Sequence, residues 1–403
     1  MFLVLFLKQK TRAIIKIALF ICLKTYYNNK EVSGEDIKMN FNKLSLIEKF
    51  GQTILLGLDT YEINDEIIKI IEDYKIGGVV LYKKNYTSIQ NMIDFINNLK
   101  KYNQKNKIPL FIAIDQENGR VNRFPKDIIC IRSALKQSNT HNIKLINAIN
   151  LLTCYVLNSV GVNMNFAPVL DILHNDKNRA IGNRSYGYNI EDVIKYGIPF
   201  MHAMQKNSII SVVKHFPGHG ATNKDSHFII PKIKDVNILE NEDIKPFYTA
   251  INEGADALMV GHLKLKGFGS KPASINKKII QEYLIKENRF NGLIITDDLR
   301  MNILQRIYGL KNCVKNSINA GNNMVMIKYQ KGDYKLYQKI FKSVQLCEID
   351  PELINNSAKK IIAMKKKYNV NNEIIRNKLD IDLINSKIKK FNDMIDRENE
   401  IIL

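Results

Sequence analysis

IISVVKHFPGHGATNKDSHFIIP (residues 209–231) has the form on which the rest of the chain is built: an apolar run that ends on reactive side chains and then breaks into a loop. Ile209 to Val213 are apolar or small, Lys214 and His215 close the run, and Pro217, Gly218 and Gly220 break it. Asp225, Ser226 and His227 follow before a second apolar run. The pattern reads as a buried strand that ends in a cation and an imidazole. On the loop beyond it, a carboxylate two residues before a second imidazole can orient that ring.

Working outward, the same form recurs from residue 50 onward. Apolar β-type runs occur at Gln52 to Gly57, Ile76 to Tyr82, Ile108 to Asp115, Val162 to Leu170, Ile209 to Pro217, Ala257 to Leu263, Gly292 to Asp298 and Asn323 to Lys328. Between them lie helical spacings such as Ile89, Ile93, Ile96 and Leu145, Ile149, Leu152, Val156. Strands buried on both faces read as continuous apolar runs, and eight of them alternating with helices predict an α/β fold, a closed parallel (β/α)8 barrel of the TIM type. Such a barrel typically takes about 250 residues, which 403 residues accommodate with terminal additions. Catalytic groups in this fold come from the C-terminal strand ends. Asp115, Asp171, Lys214 with His215, His262 and Asp297 all stand at the ends of their runs. Helices continue through Tyr334 to Leu346 and Leu353 to Tyr368, so the catalytic domain is read as 39–368, followed by a charged helical tail, 369–403.

Lys and Arg number 60 against 40 Asp and Glu, for a net charge of +20. No RNA or DNA motif accompanies that charge, and the lysines are mixed with Ile and Asn throughout, so it is read as a solvated basic surface with no nucleic-acid partner. The five cysteines stand far apart without a CxxC pair, which signals neither a zinc cage nor a disulfide framework and suits a reducing, cytoplasmic compartment. With no Trp, a carbohydrate site would rely on polar contacts and on Tyr or Phe. Residues 1–38 form an apolar and basic leader whose two apolar pieces, Phe2 to Leu7 and Ile14 to Leu23, fall short of the roughly 20 residues a bilayer span needs. The leader is read as dispensable, with Met39 a candidate first residue. The alternative is membrane association through residues 1–25. The expectation is a monomer with no stable membrane span.

Several side chains could carry chemistry. Asp297 lies in GLIITDDLRM (292–301), where adjacent carboxylates on a strand face opposite ways, one into the barrel mouth and the other, Asp298, toward a helix N-terminus. Asp297 suits a nucleophile, a base or a metal ligand. His227, held by Asp225, can donate and accept a proton near neutral pH. Asp115, in FIAIDQENGRVNRF (111–124), is followed by Glu117, Arg120 and Arg123, and Arg184 lies in NRAIGNRSYG (178–187); carboxylates and guanidinium groups hold hydroxyl-rich ligands, although ion-paired structural residues would read alike. His262 either lines the rim or packs. His219, between two glycines, is read as shaping its loop without chemistry.

AIDQENGRVNRF, NFAPVLDI, NRAIGNRSYG, KHFPGHG followed by DSH, and ITDDLRM, in this order, resemble the β-N-acetylhexosaminidases of glycoside hydrolase family 3, the single-barrel type that recycles bacterial cell-wall fragments. The resemblance covers residues 45 to 368. It implies a retaining hydrolase that removes terminal β-linked N-acetylglucosamine from cell-wall fragments, without cofactor or metal. Carried over, Asp297 is the nucleophile, His227 the proton donor and Asp225 its partner, while Asp115, Arg123, Arg184, Lys214 and His215 hold the sugar. The chain departs from the family at Asn118, where a second glycine is usual, and Asn tolerates left-handed backbone better than most residues. Three alternatives stand beside this reading. One is a phosphorylase using the same site. Another is a metal-dependent amidohydrolase-like barrel with His215, His262 and Asp297 as ligands, which would want an HxH pair where Leu58, Asp59 and Thr60 stand. The third is a degenerate barrel that binds glycans without cleaving them.

Overall fold

Each of the eight apolar runs forms a strand: β1 (Ile54–Leu58), β2 (Gly78–Leu81), β3 (Phe111–Ile114), β4 (Met164–Asn165), β5 (Ile210–Phe216), β6 (Ala257–Val260), β7 (Leu293–Asp298) and β8 (Met324–Lys328). The computed structural model describes residues 41–222, 231–233, 238–376 and 378–402. The leader, residues 1–38, therefore lies outside the described residues. The strands are parallel and close in the order β1-β8-β7-β6-β5-β4-β3-β2, with Ile54 opposite Val325 at the closing seam. This is the predicted TIM-type barrel.

The period of two along each strand divides the apolar side chains between two cores. Leu55, Val80, Phe111, Met164, Ile210, Leu293 and Met324 fill the barrel interior. Their neighbours, such as Leu56, Val79, Ile112 and Val325, join the helices outside. Covering helices include α1 (Leu46–Gly51), α2 (Asp65–Tyr74), α3 (Ile89–Tyr102), the short α4 (Ala134–Ser138), α5 (Ile143–Val160), α6 (Ile190–Lys206) and α7 (Lys245–Asn252). After β6 the chain winds as a π-helix, Lys278–Glu287. α8 (Asn302–Tyr308), α9 (Leu310–Ala320), α10 (Tyr334–Gln345), α11 (Pro351–Lys367) and α12 (Ile381–Ile402) complete the order. Polar caps set the boundaries. Asn64 accepts the Ile67 N–H at the start of α2, Ser88 accepts the Asn91 N–H at α3, and Gly161, at φ 85°, ends α5. α5 is long and apolar enough to cross a membrane, but two thirds of it is buried, as befits a core helix.

The lower end of the barrel is plugged. Lys365 of α11, wholly buried, donates to Gln52 Oε1 at 2.8 Å and to the Gly77 carbonyl at 2.7 Å, and its ammonium lies 4.7 Å from the centre of the Phe111 ring. The C-terminal rim stays open to a ligand. The tail, charged and Asn-rich in sequence, forms α12 and docks through Ile384, Ile388, Phe391 and Ile395.

Candidate active site

At that rim a cavity of about 620 Å³ is walled by Asp115, Glu117, Arg123, Arg184, Lys214, His215, Asp297 and Asp298, with Tyr82, Met259 and Met326 among its apolar surfaces. Successive residues of a strand alternate faces, yet Lys214 and His215 both reach this space. The register of β5 against β6 shifts between Val213 and Phe216, which releases them from the alternation.

The wall is a continuous ladder of charge-assisted hydrogen bonds. Lys214 Nζ lies 2.6 Å from Asp115 Oδ1 and 2.6 Å from Glu117 Oε1. Glu117 in turn receives both arms of Arg184, Nε at 2.7 Å and Nη2 at 2.8 Å. Burial pushes the Glu117 carboxyl up, but Arg184 and Lys214 outweigh it and hold it far below the usual carboxylate range. Glu117 is thus a fixed anion that sets Lys214 and Arg184 in place.

Arg184 Nη2 also lies 3.3 Å from His215 Nε2, and because a guanidinium can only donate, Nε2 must accept. The ring proton is then on Nδ1, which donates to Asp171 Oδ2 at 2.7 Å. Asp171, entirely buried, also accepts the backbone N–H of His219 at 2.7 Å and of His215 at 3.2 Å. Its desolvation is outweighed by His215 and by these donors, which keep the carboxyl below its ordinary value.

Asp297 and Asp298 share the far side of the cavity and separate in character. For Asp297, burial raises the carboxyl, but His262, His215, the Asp298 N–H at 2.7 Å and Lys214 together bring it below the ordinary range. Asp298 is pushed up to about 6, by burial first and by the adjacent Asp297, against backbone N–H donors at Arg300 (3.0 Å) and Lys328 (3.1 Å). Asp298 therefore caps the turn after its strand and the end of β8. The sequence pattern predicts a helix N-terminus at Asp298, but α8 starts later, after Met301, without a side-chain cap.

The loop from β3 is shaped by Gln116, which is wholly buried. Its Oε1 accepts the Arg123 N–H at 2.8 Å, and its Nε2 donates to Asn118 Oδ1 and Asn122 Oδ1, each at 2.9 Å. Asn118 takes φ 72°, a left-handed backbone that Asn tolerates better than most residues, and Gly119 follows at φ 64°. The loop returns Arg123 to within 3.9 Å of Asp115, with its guanidinium 5.9 Å from the centre of the Tyr82 ring.

Of the residues singled out in the sequence, Asp115, Arg123, Arg184, Lys214, His215 and Asp297 meet in this one cavity. Asp225 and His227 lie outside the described residues. His262 packs: Nδ1 lies 2.7 Å from Ser274 Oγ and Nε2 3.0 Å from the Asp298 carbonyl, so both ring nitrogens serve the wall. Among the described residues no group of three His, Cys, Asp or Glu side chains is placed to hold a metal ion. His219 also borders the cavity. Its ring, 4% exposed, faces the cavity with neither nitrogen hydrogen-bonded among the described residues, and burial keeps it below the ordinary imidazole value. Gln116 and Asp171 shape this site without any role that the sequence alone assigns them, and Glu117, a ligand-holding candidate in sequence, holds Lys214 and Arg184 instead. For Asp171 a signal was present, since it ends its run on the same rim as Asp115 and Lys214.

Comparison with known proteins adds relatives to this geometry. Residues 43–364 match the model of the glycosyl hydrolase family 3 N-terminal domain. β-Hexosaminidase A of Pseudoalteromonas piscicida is 28% identical over 333 residues, 75% of this chain and 55% of that protein, so the chain spans about half of that relative. The β-hexosaminidase of Photobacterium profundum is 30% identical over 275 residues, 68% of this chain and 81% of that one. Among solved structures, a family 3 β-N-acetylglucosaminidase from Paenibacillus sp. FPU-7 superposes with a TM-score of 0.81 at 27% identity, covering 87% of this chain and 69% of that one.

Proposed function

The chain belongs to glycoside hydrolase family 3, and from that premise we propose that it is a retaining β-N-acetylglucosaminidase that releases terminal N-acetylglucosamine from cell-wall fragments. The observation that carries this reading is the meeting, in one cavity, of the Asp297 carboxylate with the ladder of Asp115, Lys214, Glu117, Arg184 and His215. Retaining hydrolysis needs an ionised carboxylate that attacks the anomeric carbon through an oxocarbenium-like transition state, followed by hydrolysis of the glycosyl-enzyme. Asp297, held below its ordinary range by its neighbours, is ready for that attack. Asp115 and Glu117 supply acceptors while Arg123, Arg184 and Lys214 supply donors, the complement that a ring of hydroxyls and an acetamido group requires. Tyr82 offers the aromatic surface of a chain without Trp. His227, partnered by Asp225, is the proton donor in this reading, and an imidazole there does not repel Asp297 as a second carboxylate would. The basic residue Arg179 on the wall favours an acidic, peptide-bearing aglycone. The free cysteines, Cys130, Cys154, Cys313 and Cys347, suit a cytoplasmic place of work.

Turnover of nitrophenyl β-N-acetylglucosaminide by the full chain tests the reading. Asp297→Ala is expected to lower kcat by roughly 10⁴-fold or more. His227→Ala should slow substrates with poor leaving groups and spare glycosylation by the nitrophenyl substrate. Free N-acetylglucosamine as the product in phosphate buffer supports hydrolysis, and its 1-phosphate would make the enzyme a phosphorylase. Full activity in Asp297→Ala would overturn the assignment.

A further inference from the structure

The stretch that matches the family ends at residue 364, well before α12 begins at Ile381. α12 nevertheless lies against the loop that carries the sugar-holding groups from β3. Two of its asparagines grip that loop. Asn385 Oδ1 accepts the Ile129 N–H at 2.8 Å while its Nδ2 donates to the Asp127 carbonyl at 2.7 Å. Asn392 Oδ1 accepts the Arg132 N–H at 3.1 Å while its Nδ2 donates to the Cys130 carbonyl at 3.0 Å. Each amide takes a carbonyl and the N–H two residues further on, backbone groups that would otherwise need a neighbouring strand or water.

The spacing makes the grip possible. Seven helical residues are nearly two full turns, so both asparagines share one face about 10 Å apart. The gripped groups repeat after three residues of loop, and three residues of chain can reach at most about 10 Å. One straight helix can therefore hold both points. Arg132 closes the arrangement, its Nη2 2.6 Å from Asp396 Oδ2 and its Nε 3.0 Å from Asp396 Oδ1.

The gripped segment supports the site directly. The Ile131 carbonyl accepts the Gly119 N–H at 2.8 Å. Gly119 forms the tight turn between Glu117 and Arg123, and a Cβ there would come within 2.6 Å of Ser133, the residue after the gripped Arg132. What α12 holds is thus the bed on which the turn rests.

We propose that α12 is a built-in brace for the substrate-holding loop, with Asn385 and Asn392 as positioning residues that act on sugar binding through Gly119, Glu117 and Arg123. The effect on binding rests on the reading of the cavity as a sugar site. The brace itself does not.

The test compares the full chain with Asn385→Ala/Asn392→Ala and with Asn399→Ala, whose amide instead reaches the Lys136 carbonyl of α4. Amide hydrogen exchange over residues 117–123 and 127–132 is measured beside kinetics on nitrophenyl β-N-acetylglucosaminide. Faster exchange in both segments of the double variant alone is expected, with KM raised roughly tenfold and kcat within about twofold. Asn399→Ala should match the wild type. Unchanged exchange at 117–123 in the double variant, or equal kinetic losses in both variants, would overturn the brace. If the double variant does not fold, Asn385→Ala alone, at the partly exposed start of α12, supplies the same comparison. A wild type that turns over no glycoside would sink the sugar reading, and exchange at 117–123 would still decide for or against the brace.

Discussion

At the scale of single residues, the adjacent carboxylates of β7 differ because their surroundings differ. Asp297 faces imidazoles and Lys214 and is held low; Asp298 is buried beside that anion, with backbone donors only partly offsetting the cost, and stands at about 6. A carboxyl whose folded value lies above its unfolded value, near 3.9, is favoured in its protonated form. Its stabilising contribution is whole below that unfolded value and is lost as pH rises through about 6. Asp298→Asn fixes the uncharged form and keeps an oxygen for the Arg300 and Lys328 N–H groups. Its Tm should therefore gain on that of the wild type as pH rises from about 4 to about 7, read by thermal unfolding across that range. A constant difference would show that Asp298 does not titrate there. The sequence marked both aspartates as a strand tip, but which would be held low depended on His215, His262 and Lys214, which reach the site from two other strands.

At the scale of elements, strand tips were legible and the loops between them were not. Continuous apolar runs locate β3, β5 and β7 and so place Asp115, Lys214, His215 and Asp297 on one rim, because the period of a buried strand is a local property. The path from Asp115 to Arg123 depends on Gln116, whose side chain substitutes for strand neighbours that this loop lacks. Nothing in the local pattern distinguishes that glutamine from a surface one. Gln116→Ala would leave the Arg123 N–H and the Asn118 and Asn122 oxygens without their partner in a buried place, at about 1–3 kcal/mol for an unsatisfied group. The expected outcome is a lower Tm together with a raised KM, checked by calorimetry and steady-state kinetics on the same preparation. A lower Tm with unchanged KM would mean that Arg123 keeps its position without Gln116.

At the scale of the whole molecule, the barrel assigns its two ends different work. The C-terminal rim gathers the charged ladder, while the N-terminal end is closed by α11 and its buried Lys365. Lys365→Ala removes the donor to Gln52 Oε1 and the Gly77 carbonyl and opens a gap beneath Phe111, so a loss of about 2–4 kcal/mol of stability is expected, with KM near that of the wild type. Denaturant unfolding and kinetics separate the two effects, and a large change in KM would mean that the plug is coupled to the rim. By itself, the sequence determined the barrel, its strand order along the chain and the rim residues Asp115, Lys214, His215 and Asp297, because burial on both faces and residue type at a strand end are written in consecutive residues. Only the tertiary structure decided that Asp171 orients His215, that Glu117 holds Lys214 and Arg184 together, and that α12 grips the β3 loop. Those contacts join residues 44, 97, 67 and about 260 positions apart, and partners so distant are chosen by packing in three dimensions, which no local pattern records.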